Sequence, residues 1–228
     1  MPQQTGSARS YELLLIAVIA ARATSFIFSK MILESLAPFN LLAVRFIIAF
    51  VLLALIFNKA VRSLAARDLF AGTVIGTAFF ITMACEMIAL TQAASSLVSL
   101  LENCAIIFVP LLEILLYKKL PGKLTVISTG MAMLGVVLLA LGQGELSGGF
   151  TWGLAAGLCY AAAIIVTERL SHGSTATLGI GIVQVGTMGV LSFLAMLLTE
   201  TPQLPQSGSQ WLMLAMLIIV CTGFGFTL

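Results

Sequence analysis

The sequence predicts an all-α integral membrane protein with eight transmembrane helices. Hydrophobic residues make up 60% of the chain and charged residues only 9%, and the mean hydropathy is +1.13. The apolar residues lie in runs of about 20, which is the length of helix that crosses a bilayer. A soluble protein of this size needs a charged surface, and so few charged residues cannot form one.

The eight predicted spans fill almost the whole chain. The first resembles a signal peptide in part, because Arg9 precedes the apolar run Leu13–Ala20. Glu12 interrupts that basic flank, however, and the apolar character resumes at Phe26, so we predict a helix that is not cleaved. In chain order the spans are 11–31, 37–57, 69–91, 94–117, 123–142, 149–168, 175–198 and 209–228.

The basic residues predict how these helices are oriented. Alternate connections carry most of the Lys and Arg residues, whereas the opposite connections carry only Lys30, at the end of the first span. Positive residues are retained on the cytoplasmic side. We therefore expect a multi-pass protein of the plasma membrane, specifically a bacterial inner membrane, with a cytoplasmic N-terminus. The residues on that side are Arg9, Lys59, Arg62, Arg67, Lys118, Lys119, Lys123 and Arg169.

Two parts of the chain align when it is shifted by 139 residues, which predicts an internal repeat. Lys30 then falls on Arg169, and Arg45 falls on Gln184. Five spans separate the copies, so the second copy enters the membrane in the opposite orientation. We predict a first repeat of five helices over 1–143 and an inverted, incomplete second repeat of three helices over 144–228. Inverted repeats place a binding site between the halves, near the midplane of the bilayer.

Three segments resemble EamA-type transporters of the drug/metabolite transporter superfamily. The stretch Asn40–Ala49 is similar to the second helix of that family, Gly149–Leu170 to the sixth, and Tyr117–Gly142 to the junction of the fourth and fifth. The resemblance implies ten helices in two inverted five-helix repeats that move small metabolites. It also implies that a chain ending at Leu228 lacks the last two helices, so that it is a fragment or is completed by a partner.

Four charged side chains lie inside the predicted spans, namely Arg22, Arg45, Glu86 and Glu102. At 1.5 Å per residue, all four lie roughly 8–14 Å below the outer surface of the membrane. A charge at the centre of a lipid-facing helix costs at least about 2.5 kcal/mol, so such groups face a bundle interior or a cavity. We therefore predict that two arginines and two glutamates gather around one polar cavity.

This layer of charges predicts a substrate site. Arginine stays charged and pairs with a carboxylate or a phosphate, so the two arginines are expected to bind an anionic substrate. Either glutamate could carry a coupling proton, and two polar amides within spans could line the same cavity or bond to a neighbouring helix. The alternative is a set of buried Arg–Glu ion pairs that hold the helices in register. The predicted substrate-binding residues are Arg22, Arg45, Glu86, Glu102, Asn103 and Gln184.

Small residues predict where helices approach each other closely. Gly149, Gly153 and Gly157 recur at intervals of four in the sixth span, and Gly72 and Gly76 do so in the third. Glycines at this spacing share one face of a helix and allow two backbones to come together. The four cysteines form no Cys-x-x-Cys pair, and we interpret them as packing residues.

These features together predict secondary-active transport of a small organic metabolite or drug-like solute, by proton-coupled export. The chain has no ATP-binding loop and no metal-ligand motif, so we expect no cofactor and no metal. An enzyme is not expected, since the single histidine, His172, lies in a loop and no Asp occurs within a span. The alternatives are a membrane assembly or regulatory subunit that does not transport and, with less support from the residues, an intramembrane enzyme. The expected partners are the bilayer, the substrate, protons and a second copy in a homodimer, but no nucleic acid.

Overall fold

The structure is a computed structural model that describes residues 24–117, 122–142 and 148–223 of the chain. These residues form helices joined by short connections, and no strand occurs among them. The last helix continues into a π-helical segment, Leu217–Gly223. The helices are α1 (Thr24–Leu33), α2 (Pro38–Ile56), α3 (Asn58–Arg62), α4 (Ala66–Gln92), α5 (Ser95–Asn103), α6 (Ala105–Tyr117), α7 (Lys123–Gly142), α8 (Gly148–Ser171), α9 (Thr177–Thr199) and α10 (Gly208–Met216).

Five segments of the described chain are long and apolar enough to cross a membrane: α2, α4, the α5–α6 segment Ser95–Leu116, α8 and α9. The other three predicted spans contain shorter apolar helices, Thr24–Leu33, Leu124–Gly135 and Gly208–Ile219. Each of the eight predicted spans therefore holds an apolar helix. The predicted class, an all-α integral membrane protein, is confirmed.

The helix ends follow from local sequence. α2 begins at Pro38, where the missing amide hydrogen costs nothing because the first turn of a helix has no acceptor for it. α4 begins where the Asp68 carboxylate accepts a hydrogen bond of 3.1 Å from the Ala65 amide. Just after α8 the chain passes through Gly173, whose φ of 75° lies in the left-handed region that favours glycine.

The fourth predicted span is interrupted at Cys104, which separates α5 from α6. The amide of Cys104 bonds to the Leu101 carbonyl, three residues back, at 3.1 Å, which is a tighter turn than an α-helix makes. Farther along, Pro110 lies inside α6 and has no amide hydrogen to donate to the preceding turn. The fourth predicted span thus contains two helices, and its segment Ser95–Leu116 is long and apolar enough to cross the membrane.

Helix α4 lies at the centre of the described bundle. It packs along both α8 and α9, while α2 packs on the other side of α9 and the α5–α6 segment packs on α8. Most of the packing of α7 is against α6. The two predicted halves of the chain therefore interleave, because α2, α4, α5 and α6 of the first half all contact α8 or α9 of the second.

The glycines allow these close approaches, as predicted. A methyl group on Gly76 of α4 would lie 2.7 Å from the Gln184 carbonyl oxygen on α9, and one on Gly157 of α8 would lie 2.5 Å from the Leu101 carbonyl oxygen on α5. Gly149 and Gly153 make similar contacts with Ala93 and Leu101. The α4–α9 and α8–α5 interfaces thus depend on the absence of a side chain.

The buried core connects both halves. Its largest fully buried side chains include Phe46 of α2, Met87 of α4, Met188 of α9 and Leu214 of α10. Many large apolar side chains are exposed instead; Leu198, for example, is 85% exposed. In a membrane protein such residues contact lipid, which solvates apolar groups as well as a protein interior does.

The bundle has two ends, which we name after a residue at each. The Glu200 end contains the end of α4, the start of α2 and the connection 200–207. The Arg169 end contains the start of α4, the end of α8 and the connection 172–176. The predicted division of the chain into repeats at residue 143 stays a prediction.

Candidate transport site

Arg45 of α2 is almost fully buried, with 4% of its surface exposed. Its Nε donates a hydrogen bond of 3.0 Å to Oγ1 of Thr222, a residue 177 positions away in the π-helical segment. Its guanidinium carbon also lies 5.2 Å from the centre of the Phe46 ring, within the range of a cation–π contact. Arg45 therefore ties α2 to the last described segment of the chain.

The Thr222 hydroxyl is itself held in place. It donates a hydrogen bond of 3.1 Å to the Leu217 carbonyl, five residues earlier in the π-helical segment. Single-turn π-helical segments are frequent at functional sites, because they redirect side chains that a regular helix would place elsewhere. The π-helical segment thus presents Thr222 to Arg45.

Two carboxylic acids are buried in the same way. Glu86 of α4 is 3% exposed and Glu102 of α5 is 2% exposed. Helix α8 shows that both lie at a similar depth. The thiol of Cys85, the residue before Glu86, lies against that of Cys159. The backbone of Leu101 and Glu102 contacts Gly157 of the same helix. These two contact points on α8 are two residues apart, which corresponds to only about 3 Å along the helix axis.

Arg45 lies close to that depth as well, when α9 is used as the reference. The backbone that follows Arg45 contacts Gly189, whereas Gly76 of α4 contacts Gln184. Depth is measured here from the contact between Gly76 and Gln184 toward the Glu200 end. Glu86 lies ten residues beyond Gly76 along α4, or about 15 Å, and Arg45 lies about 9 Å beyond the same contact. The two residues are therefore within about one helical turn of each other in depth. The three-residue set Arg45, Glu86 and Glu102 is hereafter the buried charge layer.

The two amides that the sequence predicted for this site lie elsewhere. Gln184 is buried where α9 meets α4, roughly 9–15 Å from the buried charge layer toward the Arg169 end. Asn103 is exposed and donates to the Ser99 carbonyl at 2.7 Å. It lines a separate concavity of about 310 Å³ together with Pro110 and Tyr160. The structure does not bring Asn103 or Gln184 into the layer, and Arg22 lies outside the described residues.

Ser192, like Thr222, is a buried polar residue of this region that the sequence reasoning missed. Ser192 of α9 is fully buried, and its hydroxyl has no hydrogen-bond partner within the described ranges 24–117, 122–142 and 148–223. It lies one turn beyond Gly189, which contacts α2 beside Arg45, and so it has the depth of the buried charge layer. A lone serine in an apolar helix is common, so no pattern distinguishes it.

At the Glu200 end, a polar network joins the two halves of the chain. The Glu200 carboxylate accepts hydrogen bonds from the amides of Phe39 and Asn40, at 3.0 and 2.9 Å, and from the Asn40 side chain at 2.8 Å. Asn40 in turn contacts the Thr201 carbonyl and the Gln203 amide. The start of α2 is thus closed against the end of α9.

A second link closes the same end. The Lys30 ammonium of α1 donates to the carbonyls of Leu90 and, at 3.1 Å, Ala93, which are among the last acceptors of α4. A cation at the C-terminus of a helix is favourable because the helix dipole is negative there. The buried charge layer therefore lies beneath an end of the bundle that is held together by hydrogen bonds.

A comparison with protein families gives the family of the chain. The model of the EamA-like transporter family matches residues 9–141, more than half of the chain. The chain belongs to the EamA-like transporter family. It is accordingly a multi-pass membrane protein of the drug/metabolite transporter type, in contact with lipid and with a small-molecule substrate. A search of curated proteins finds no match.

The His and Cys residues of the EamA-like chain can be located in the part that the structure describes. No group of three or more His, Cys, Asp or Glu side chains there could hold a metal ion. Cys85, Cys104 and Cys159 are all free thiols, two of them packed between α4 and α8. His172 is exposed near the end of α8, as expected of a residue in a connection.

Proposed function

We propose that this EamA-like protein is a secondary-active carrier of a small organic anion and that the buried charge layer is its substrate and proton site. One observation carries the proposal: three ionisable side chains from three helices, each at most 4% exposed, lie at similar depth inside an apolar bundle. Ionisable groups inside a membrane are costly and mark substrate or proton pathways by default.

The chemistry of the layer suggests how the roles divide. Arg45 supplies a permanent positive charge and a planar set of donors that matches a carboxylate or a phosphate. Glu86 and Glu102 can each exist as a neutral acid or as an anion, and an ionised carboxylate would compete with an anionic substrate for the guanidinium of Arg45. Protonation of a glutamate would therefore favour binding of the anion and couple the substrate to a proton, and Arg22 is proposed to add a second guanidinium.

The closed Glu200 end supports alternating access. Inverted repeats rock around a central site, which opens first to one side of the membrane and then to the other. The family match over residues 9–141 falls within the proposed first repeat, 1–143, and supports that division of the chain. We further propose that the N-terminus is cytoplasmic, that the membrane is a bacterial plasma membrane, and that the direction is proton-coupled export.

Transport by purified protein in lipid vesicles tests the proposal. A pH difference across the vesicle should drive uptake of labelled organic acids, and Glu102→Gln should abolish that dependence because a glutamine side chain cannot exchange a proton. Glu34→Gln is the matched control, since Glu34 is exposed near the Glu200 end. Full pH-driven transport by Glu102→Gln would remove Glu102 as the coupling group.

Counterflow of labelled solute without any gradient separates the remaining outcomes. A carrier exchanges labelled for unlabelled substrate even when coupling is lost, so Glu102→Gln should retain counterflow. Absence of counterflow by the wild type with every organic anion, cation and neutral solute offered would favour an assembly or regulatory subunit. The homodimer stays a prediction, which light scattering of the purified protein tests.

A further inference from the structure

We propose that the Arg169 end carries a binding site for the headgroup of an anionic phospholipid. Arg67 in the first turn of α4, and Glu168, Arg169 and His172 at the end of α8, line one concavity of about 430 Å³. All four side chains are exposed. This cluster is distinct from the buried charge layer, and its assignment does not depend on the proposed transport mechanism.

The length of the helices places the concavity at headgroup depth. Helix α4 has 27 residues and α8 has 24, which corresponds to about 40 and 36 Å at 1.5 Å per residue. The hydrocarbon core of a bilayer is only about 30 Å thick. Both helices are longer than this core is thick, and the proposal places the first turn of α4 and the last turn of α8, where the basic residues lie, at the level of the phosphates.

Apolar residues directly beneath the basic groups suit an acyl chain. Phe70 lies three residues after Arg67, on the same face of α4, and is 65% exposed. A lipid bound there could place its phosphate on the arginines and its chain along Phe70. This vertical order, a basic group above an exposed apolar one, matches an amphiphile better than a soluble anion.

An apolar cluster lies next to the basic residues in the same helices. Ala71, Ile75 and Ile180 form a buried cluster between α4 and α9, and Val166 and Leu170 of α8 pack against it. Leu170 directly follows the exposed Arg169, so the basic side chains lie at the surface beside packed apolar residues. Such an arrangement suits a ligand bound at the periphery.

Asp68, the residue after Arg67, holds Arg67 close to His172. The Asp68 carboxylate accepts hydrogen bonds from the Ala65 amide at 3.1 Å and from the Ser174 hydroxyl at 3.3 Å. It thereby holds the start of α4 against the connection that follows α8. This link brings the basic side chains together, although Arg67 and Arg169 are 102 positions apart in the chain.

The net charge favours an anionic lipid over a zwitterionic one. Two arginines and one glutamate give the cluster a charge of +1 with neutral histidine, which complements the single negative charge of phosphatidylglycerol. Basic pockets between helices at the headgroup level bind anionic lipid headgroups.

Lipid binding is measured on the purified 228-residue chain in a neutral detergent. Phosphatidylglycerol should raise the melting temperature more than phosphatidylcholine with the same acyl chains, and native mass spectrometry should show the bound lipid. Arg67→Gln/Arg169→Gln should lose both effects. Lys59→Gln/Arg62→Gln is the matched control, because it removes two positive charges near the same end from α3 residues that do not line the concavity.

Three outcomes would overturn the proposal. Equal stabilisation by the two lipids would exclude recognition of the anionic headgroup, and equal losses in the two double variants would indicate nonspecific surface charge. Equal stabilisation by glycerol phosphate, at the same concentration, would identify a site for a free phosphate ester instead of a lipid. If Arg67→Gln/Arg169→Gln does not fold, Glu168→Gln decides: removal of the opposing charge should strengthen the phosphatidylglycerol effect, and an unchanged effect counts against the site.

Discussion

The Glu200 carboxylate caps the start of helix α2 by accepting a hydrogen bond from the Asn40 amide, although the two residues are 160 positions apart in the chain. The helix has no side-chain cap of its own, because Ala37 precedes it. A carboxylate from the other half of the protein satisfies two amides that the first turn would otherwise leave without an acceptor. Its negative charge also complements the positive end of the helix dipole.

Replacement of Asn40 by alanine should destabilise the protein by about 1–3 kcal/mol, because the Glu200 carboxylate and the Gln203 amide each lose a partner in a part-buried setting. Thermal unfolding in detergent measures this as a lower melting temperature. Thr201→Ala is the control, since Asn40 bonds to the backbone carbonyl of Thr201, which alanine keeps. Equal melting temperatures for Asn40→Ala and the wild type would contradict the proposed role of the network in stability.

Gly157 should not tolerate alanine. The added methyl group would lie 2.5 Å from the Leu101 carbonyl oxygen, which belongs to the backbone of α5 and cannot rotate away. We expect a destabilisation of about 1–3 kcal/mol, as for other overpacked sites.

Gly130→Ala on α7 is the matched control, because no atom of another element in the described part of the chain lies within 4 Å of the added methyl group. The melting temperature of this variant should equal that of the wild type or exceed it. A similar loss in both variants would indicate a general effect of the substitution and not a close contact between α8 and α5.

The sequence was sufficient to predict the membrane class and the burial of Arg45, Glu86 and Glu102. Both follow from one physical rule, namely that an apolar run crosses the bilayer and a charge within it must face the protein. Depth along each helix could also be predicted, because an α-helix rises by a constant 1.5 Å per residue. The close contacts of Gly76 and Gly157 followed from glycine spacing alone.

The partners of the charged groups could not be predicted in the same way. The contacts of Arg45 with Thr222 and of Asn40 with Glu200 depend on how helices distant in sequence are rotated about their axes. Neighbouring positions on a helix differ by about 100° in direction. An error of that size in the predicted rotation of a helix therefore exchanges one residue for the next at an interface. Asn103 illustrates this, since it is exposed while the adjacent Glu102 is buried.

Arg45→Lys should weaken substrate binding while the charge of the layer is kept. Lysine cannot reproduce the Nε hydrogen bond to Thr222 or the paired donors of the guanidinium. Loss of one hydrogen bond to a charged group, about 1.5–3 kcal/mol, corresponds to a loss in affinity of roughly tenfold or more. The concentration dependence of counterflow measures it, with Arg62→Lys on the exposed α3 as control; unchanged half-saturation in Arg45→Lys would remove Arg45 from the binding site.

Ser192→Ala should reduce transport but not stability. The buried hydroxyl has no hydrogen-bond partner in the part of the chain that the structure describes, so its removal leaves no other group unsatisfied there. We expect this hydroxyl to bind substrate in the buried charge layer. Loss of one neutral hydrogen bond costs roughly 1 kcal/mol, so the half-saturation concentration should rise several-fold. A lower melting temperature with unchanged half-saturation would assign Ser192 a structural role.

The Glu200 end should have to open during transport if the buried charge layer is reached alternately from both sides. Asn40→Cys/Glu200→Cys, in a chain whose four native cysteines are replaced, places two thiols where hydrogen bonds now join α2 to the end of α9. A short reducible crosslinker should then hold this end closed and stop transport, and a reductant should restore it. Each single-cysteine variant, treated in the same way, controls for modification of one thiol. Full transport in the crosslinked double variant would show that the Glu200 end stays closed throughout the cycle.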